Sequence, residues 1–270
     1  MRVERVGAAT LYCGDALAVL PTLDPVGFVC TDPPYSSGGA FRGDRTVPTN
    51  DKYVRTEFRG LRPDFTGDNR DQRGYAHWSA LWFGLARELV PPGGLCCAFT
   101  DWRQLPTTTD ALQAGGWVWR GVVAWDKTEA ARPQKGRFRA QAEYVVWGSN
   151  GPMADDGPCA PGVFRAPIPP ADDRLHIAQK PLGVMHGLLA LAPPGRAVLD
   201  PFMGAASTGV AAVQVGLPFV GIEADPVIFE TACRRIEEAQ RQAALFPVAM
   251  PDPDDAYQRP RDLFAPESVP

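Results

Sequence analysis

The run Val26-Gly27-Phe28-Val29-Cys30-Thr31-Asp32-Pro33-Pro34-Tyr35 decides how the chain is read. Its first half is apolar with no polar alternation. That pattern describes a strand buried on both faces, as in parallel sheets covered by helices. The run then stops at a carboxylate followed by two prolines and an aromatic ring. Proline fixes its own φ and cannot donate to a sheet ladder, so the strand ends here and the backbone beyond it is stiff. Open α/β sheets bind their ligands outside the carboxyl ends of their strands, which makes Asp32 a candidate ligand contact.

A second stretch mirrors the first. Ala197-Val198-Leu199 leads into Asp200-Pro201-Phe202-Met203-Gly204-Ala205-Ala206-Ser207-Thr208, where a helix begins. A strand, a turn of small residues and a helix N-terminus together hold the polar part of a nucleotide-like ligand. Glu223 follows Gly204 by 19 residues and ends the next strand. In dinucleotide-binding sheets an acid at about this distance accepts hydrogen bonds from ribose hydroxyls. An ordinary βαβ unit with a small-residue turn accounts for this stretch equally well. If the strands ending at Asp32 and Asp200 are neighbours, a cofactor and a second substrate meet between them.

Seven short runs read as strands: Leu11–Cys13, Gly27–Cys30, Leu95–Phe99, Trp117–Trp125, Tyr144–Trp147, Ala197–Leu199 and Phe219–Ile222. Helical periods cover His77–Val90, Leu182–Leu191, Ser207–Val215 and Pro226–Leu245. Strands alternating with helices predict an α/β fold with a mostly parallel sheet covered on both sides. Residues 1–245 form one predicted domain. Two irregular insertions interrupt it, 36–76 and 148–175. Residues 246–270 are rich in Pro and charge and read as a disordered tail.

The chain has 270 residues, enough to bury a full core, and 45% of them are hydrophobic. The net charge of −4 excludes a polycation, so any nucleic-acid contact must use local basic patches. The six cysteines form no CxxC pair. Cys13, Cys30, Cys96 and Cys97 lie in apolar runs and read as buried free thiols of a reducing compartment. No signal peptide or membrane span is evident, so the expected location is cytoplasmic. His77, His176 and His186 make no metal-ligand pattern with cysteine and read as structural.

TDPPY, DPFMGAAST and VGIEAD together resemble the amino-group DNA methyltransferases that use S-adenosylmethionine. The DPPY motif precedes the DPFMG motif, which resembles the permuted β group of adenine-N6 and cytosine-N4 enzymes. His176-Ile177-Ala178-Gln179-Lys180-Pro181-Leu182 is similar to the motif upstream of the cofactor loop. Leu11-Tyr12-Cys13-Gly14-Asp15-Ala16-Leu17 is similar to the family's displaced N-terminal strand. The resemblance spans residues 10–245. The loop departs from it at Ala206 and Ser207, where a second Gly and a Thr are usual.

The resemblance implies a Rossmann-like methyltransferase fold with a seven-stranded, mostly parallel sheet in circularly permuted order. It implies S-adenosylmethionine as cofactor, bound by Asp15, Thr31, Lys180, Asp200, Phe202, Gly204, Thr208 and Glu223. Within that set, Asp15 binds the adenine amine, Glu223 the ribose and Lys180 the methionine carboxylate. It makes Asp32, Pro33, Pro34 and Tyr35 the catalytic motif. Asp32 and the Pro33 carbonyl accept hydrogen bonds from an exocyclic amine, and Tyr35 stacks on the flipped base. Adenine N6 is favoured over cytosine N4, because the family's cytosine enzymes more often carry Ser at the position of Asp32. DNA is the expected partner, and a homodimer is an expectation carried by the family.

Residues 127–141 hold five basic residues, Lys127, Arg132, Lys135, Arg137 and Arg139, against one acid, with Phe138 among them. They are the candidate phosphate grip, a solvated charged loop being the other reading. The insertion 36–76, with Tyr53, Phe58, Phe65 and Tyr75, is placed to cover the base or read its neighbours. Asp262-Leu263-Phe264 in the tail weakly resembles a sliding-clamp-binding peptide, with Pro260 where Gln is usual. Two further readings stand beside the leading one: methylation of RNA or of a protein glutamine, and a degenerate methyltransferase fold kept as a DNA-binding module.

Overall fold

The apolar run that opens the reading is the third strand of one nine-stranded sheet. A computed structural model describes residues 1–35, 70–131, 133, 135–155, 157–168 and 180–245. Most of the 36–76 insertion, Arg132, the stretch 169–179 with His176, and the tail with its clamp-like peptide lie outside the described residues. The strands are β1 (Arg2–Val6), β2 (Ala9–Cys13), β3 (Phe28–Thr31), β4 (Leu95–Thr100), β5 (Val118–Asp126), β6 (Ala142–Ser149), β7 (Val163–Arg165), β8 (Val198–Asp200) and β9 (Phe219–Glu223). The helices are α1 (Ala16–Val19), α2 (Gln72–Glu88), α3 (Leu105–Ala114), α4 (Leu182–Leu189), α5 (Ser207–Gln214) and α6 (Pro226–Leu245).

The strand order is β1-β2-β9-β8-β3-β4-β6-β5-β7. The five central strands, β2 to β4, run parallel. From β3 the chain passes through α2 to β4 on one side. From β8 it passes through α5 to β9 on the other. The direction of winding therefore switches between β3 and β8, and that is where a crevice opens at the carboxyl ends of the strands. Asp32 follows one of these strands and Asp200 ends the other. Beyond β4 the sheet turns antiparallel through β6 and β5.

All seven predicted runs are strands, and the α/β class is as expected. The sheet nevertheless has nine strands rather than seven. β1 reads Arg-Val-Glu-Arg-Val and is mostly exposed, an edge strand paired only with β2. β7 has three residues, and lies within the predicted irregular segment 148–175. Neither carries an apolar run, because neither is covered on both faces.

The central strands are covered on both. In β3, Phe28 and Cys30 pack with α4, α5 and α6. Val29 packs with α1, α2 and α3 on the other face. β4 alternates in the same way, with Leu95, Cys97 and Phe99 on one side and Cys96 and Ala98 on the other. Cys30, Cys96 and Cys97 are buried free thiols, whereas Cys13 is only half-buried.

Two helical boundaries differ from expectation. α2 begins at Gln72, because the Asp71 side chain accepts a hydrogen bond from the Gly74 N–H at 2.7 Å and caps the helix. Tyr75 is therefore core rather than insertion. It is fully buried, with its hydroxyl 3.0 Å from Thr108 Oγ1. α3 is hidden in the sequence by Thr107-Thr108-Thr109, since threonine is a weak helix former. Tertiary packing overrides that preference: Thr108 also lies 2.9 Å from Thr100 Oγ1, so a chain of hydroxyls fastens α2 and α3 to β4.

Candidate active site

β8 ends in Asp200, which is buried and satisfied on both oxygens. Thr31 Oγ1 donates to Oδ1 at 2.6 Å, Thr208 Oγ1 to Oδ2 at 2.6 Å, and the Phe202 N–H to Oδ1 at 3.1 Å. Four expected cofactor residues thus hold one another, tying the end of β3, the loop and the start of α5 into one unit. Burial pushes the Asp200 carboxyl up to about 6, against the hydrogen bonds from Thr208, Thr31 and Phe202.

β9 ends in Glu223, whose carboxylate accepts from the Gly204 N–H at 3.1 Å and the Asp225 N–H at 2.8 Å. Burial pushes this acid up to about 7 despite those bonds. Gly204 has φ +52, and the space where a Cβ would stand is open, with nothing within 4 Å. The loop therefore presents backbone beside an acid and free volume, the arrangement a ribose and a carboxylate-bearing ligand need. Asp15 stands next to Glu223, because Cys13 pairs with Glu223 in register and the Gly14 N–H donates to the Glu223 carbonyl. Its side chain caps α1 through the N–H groups of Leu17 and Ala18.

Ala206 takes the left-handed conformation, φ 59, at the start of α5. A residue with a Cβ pays roughly 1–2 kcal/mol there. The methyl group is fully buried in the core rather than standing in the mouth of the loop. Phe202 is half-buried, its ring 5.0 Å from Trp78 and 5.2 Å from Trp82.

Across the switch point lies the DPPY motif. Asp32 Oδ2 accepts from Lys180 Nζ at 2.7 Å. Oδ1 is buried and has no partner among the described residues. Lys180 Nζ also lies 3.3 Å from Glu143 Oε2 on β6, and Glu143 Oε1 lies 3.2 Å from Lys127 Nζ. Lys180 sits 5.1 Å from the Phe99 ring and 5.8 Å from the Tyr35 ring. Burial raises the Asp32 carboxyl, with Lys180 opposing. Burial alone would lower the Lys180 ammonium, but Asp32 and Glu143 overcome it and hold it above its ordinary value. Burial likewise works to raise Glu143, and the two lysines reverse it to a net lowering.

Lys127 is therefore turned inward onto Glu143, 9% exposed, and stands apart from the phosphate grip expected of it. The remaining described members of that grip, Lys135, Arg137 and Arg139, are exposed. Phe138 between them is fully exposed. Their loop joins β5 to β6 and leaves the sheet at the same edge as Asp32, since Thr100 at the end of β4 pairs with Tyr144. Glu143 was invisible to sequence reasoning. Its one signal is an acid in an otherwise apolar strand, opposite Trp125.

A nucleotide-type loop and a DPPY carboxylate facing each other across a switch point define the class of amino-group methyltransferases. The sequence profile of the N6/N4 DNA methylases matches residues 26–158 and 162–234. YubD of Escherichia coli (strain K12) is 25% identical over 237 residues, 84% of this chain and 90% of its own. Two solved structures share the fold. M1.HpyAVI, in complex with S-adenosylmethionine, has a TM-score of 0.61 at 21% identity and covers 84% of this chain and 98% of its own. The cytosine-N4-specific PvuII DNA methyltransferase has a TM-score of 0.65 at 14% identity, covering 90% and 95%. The chain belongs to the N6/N4 DNA methylase family, whose members use S-adenosylmethionine. Among the described residues no cluster could hold a metal ion, and no helix is long and apolar enough to cross a membrane.

The raised carboxyls make stability depend on pH in a definite direction. Asp200 and Glu223 bind protons more tightly in the folded chain than at their ordinary values of 3.8 and 4.5. Their contribution is full below those values and is lost as pH rises toward 6 and 7. Glu223→Gln should flatten the fall in urea-unfolding free energy between pH 4.5 and 7, by on the order of 3 kcal/mol. A slope equal to wild type would mean that Glu223 is not held in this buried setting.

Proposed function

We propose that the protein transfers a methyl group from S-adenosylmethionine to the N6 amino group of an adenine flipped out of DNA. The observation that carries this reading is the Asp32 carboxylate, with Oδ2 held by Lys180 and Oδ1 buried without a partner among the described residues. A buried acceptor left unpaired costs about 1–3 kcal/mol. An exocyclic amine arriving in the crevice supplies the missing donor.

An exocyclic amine is a poor nucleophile, because its lone pair is delocalised into the ring. Asp32 Oδ1 and the Pro33 carbonyl accept its two N–H bonds and draw the nitrogen toward tetrahedral geometry. The carboxylate then stabilises the positive charge that grows on nitrogen. Pro33 and Pro34 hold that backbone rigid, and Tyr35 stacks on the base. S-adenosylmethionine, when bound, supplies a methyl group on a sulfonium, already electrophilic. The N–C bond forms as the C–S bond breaks, and the displaced proton passes from nitrogen to Asp32.

On the cofactor side, Glu223 accepts from the ribose hydroxyls, Gly204 lets the loop approach closely and Asp15 receives the adenine amine. Lys180 has three donors, of which one goes to Asp32 Oδ2, while Glu143 Oε2 at 3.3 Å is an ion pair without hydrogen-bond geometry, so donors remain for the methionine carboxylate. Asp200, Thr31 and Thr208 shape the loop through their bonds to one another. The base cannot be reached inside the duplex. Lys135, Arg137 and Arg139 hold the phosphates at the edge of the sheet from which the base enters. An aspartate at position 32, where the family's cytosine-N4 enzymes more often carry serine, supports adenine. The short 148–175 segment, where relatives often carry a recognition module, supports relaxed sequence specificity.

Digestion of treated DNA to nucleosides, read by mass spectrometry, tests the assignment. N6-methyladenine is the expected product. N4-methylcytosine would keep the mechanism and transfer it to the other base, and no product on DNA would contradict the proposal. The loop is tested by Lys135, Arg137 and Arg139 changed together to Gln. Binding should weaken uniformly across sequences, and the slope of log K against log salt should fall by about 2–3. An unchanged slope would remove the loop from the DNA contact.

A further inference from the structure

Glu143 takes no part in the reaction described above, yet it stands one lysine away from the reacting carboxylate. It lies on β6 with its side chain 18% exposed. Oε2 is 3.3 Å from Lys180 Nζ, and Oε1 is 3.2 Å from Lys127 Nζ. Lys180, 6% exposed, reaches Asp32 Oδ2 at 2.7 Å. The charges therefore run Asp32, Lys180, Glu143, Lys127, alternating in sign along one line of contacts. Burying four charged groups is costly, and replacing such a set by apolar residues is often neutral or stabilising.

The charge balance at Asp32 suggests what the set does. Asp32 paired with Lys180 alone carries no net charge, and a neutral pair offers little to an amine that becomes cationic as it is methylated. Glu143 offsets the ammonium: Lys180 stands between two carboxylates instead of facing Asp32 alone, and Lys127 on the far oxygen of Glu143 brings the set of four to zero net charge. Lys127 lies beyond Glu143, on its other oxygen, and the charges that bear on Asp32 are Lys180 and Glu143. Among the described residues, Asp200 at the end of β8 and the buried Cys30 thiol also feel the charge of Asp32, and the rings of Phe99 and Tyr35 flank Lys180.

We propose that Glu143 is a positioning residue for methyl transfer. It holds Lys180 in place and offsets part of its charge, so that Asp32 meets the reacting amine less neutralised than it would be beside Lys180 alone. This inference rests on the amine-methylating reading of the site. A residue that merely filled space would leave the titration of Asp32 where it is. Glu143 instead repels the ionised form of Asp32, so its removal must make Asp32 a stronger acid.

The test is Glu143→Gln in the full-length protein, with two readouts. The first is a carboxyl-carbon NMR titration of protein labelled at aspartate, which needs no activity. Asp32 should titrate at lower pH in the variant than in wild type. The second is single-turnover methyl transfer to DNA. The rate constant should fall at least about tenfold with the KM for S-adenosylmethionine within about twofold, and the acid limb of the rate profile should move to lower pH. Glu143→Asp, which keeps the charge, should recover most of the rate. Should Glu143→Gln not fold because Lys127 is left without a counter-charge, Lys127→Met with Glu143→Gln removes both, and the same two readouts apply. An Asp32 titration that does not move overturns the inference whatever the activity, and so does a rate within twofold of wild type. Wild-type protein that methylates no DNA, while Asp32 still shifts in the variant, would instead count against the functional reading.

Discussion

The hydrogen bond from Thr31 to Asp200, 2.6 Å long between residues 169 apart in sequence, is the contact on which the site depends. It ties the last residue of β3 to the last residue of β8, the pair of strands at which the winding of the sheet reverses. Asp200 also accepts from Thr208 and from the Phe202 backbone. One buried carboxylate therefore sets the spacing between the cofactor loop on one side and the DPPY segment on the other. In-line transfer tolerates little error in that spacing, since reacting atoms must approach to about 3–3.5 Å in alignment. A polar bond buried at a strand end is a stiff way to fix it, because breaking it leaves the buried Thr31 hydroxyl without its acceptor.

The electrostatics follow from the same placement. Asp32, Lys180, Glu143 and Lys127 have side chains between 6% and 18% exposed. Charges so little hydrated act on one another more strongly than they would in water. That is the setting in which a carboxylate can stabilise a cation forming on an amine, and also one in which an unbalanced lysine would cancel it. Glu223 shows the opposite use of burial. With no cation beside it among the described residues, its carboxyl is raised by burial to about 7, where hydroxyl donors would favour its charged form.

Much of this was legible in the sequence, for a physical reason. Strands buried on both faces must be apolar throughout, so β3, β4, β8 and β9 announce themselves. Asp32, Asp200 and Glu223 stand at the ends of those runs, where a polar residue interrupts the apolar pattern, so their places at the carboxyl ends of the strands are legible too. What could not be read depends on pairing across the fold. β1 and β7 lie at sheet edges and have no apolar signature. Asp71 starts α2 before its apolar period begins, and packing against Tyr75 makes a helix of a run of threonines. Lys127 reads as one more cation in a basic loop, and no motif in the sequence singles out Glu143. The β5–β6 pairing, with the Lys127 N–H donating to the Gln141 carbonyl at 2.8 Å, is what brings Lys127 onto Glu143 and Glu143 beside Lys180.

The central claim is that Asp32 Oδ1, unpartnered among the described residues, receives the amine and does not serve the cofactor. Calorimetric titration with S-adenosylmethionine, paired with single-turnover methyl transfer to DNA in wild type and Asp32→Ala, measures it most directly. The account predicts a loss of transfer of about a hundredfold or more, with cofactor affinity within about threefold of wild type. Transfer that survives in Asp32→Ala, or cofactor affinity that falls as steeply as the rate, would contradict it.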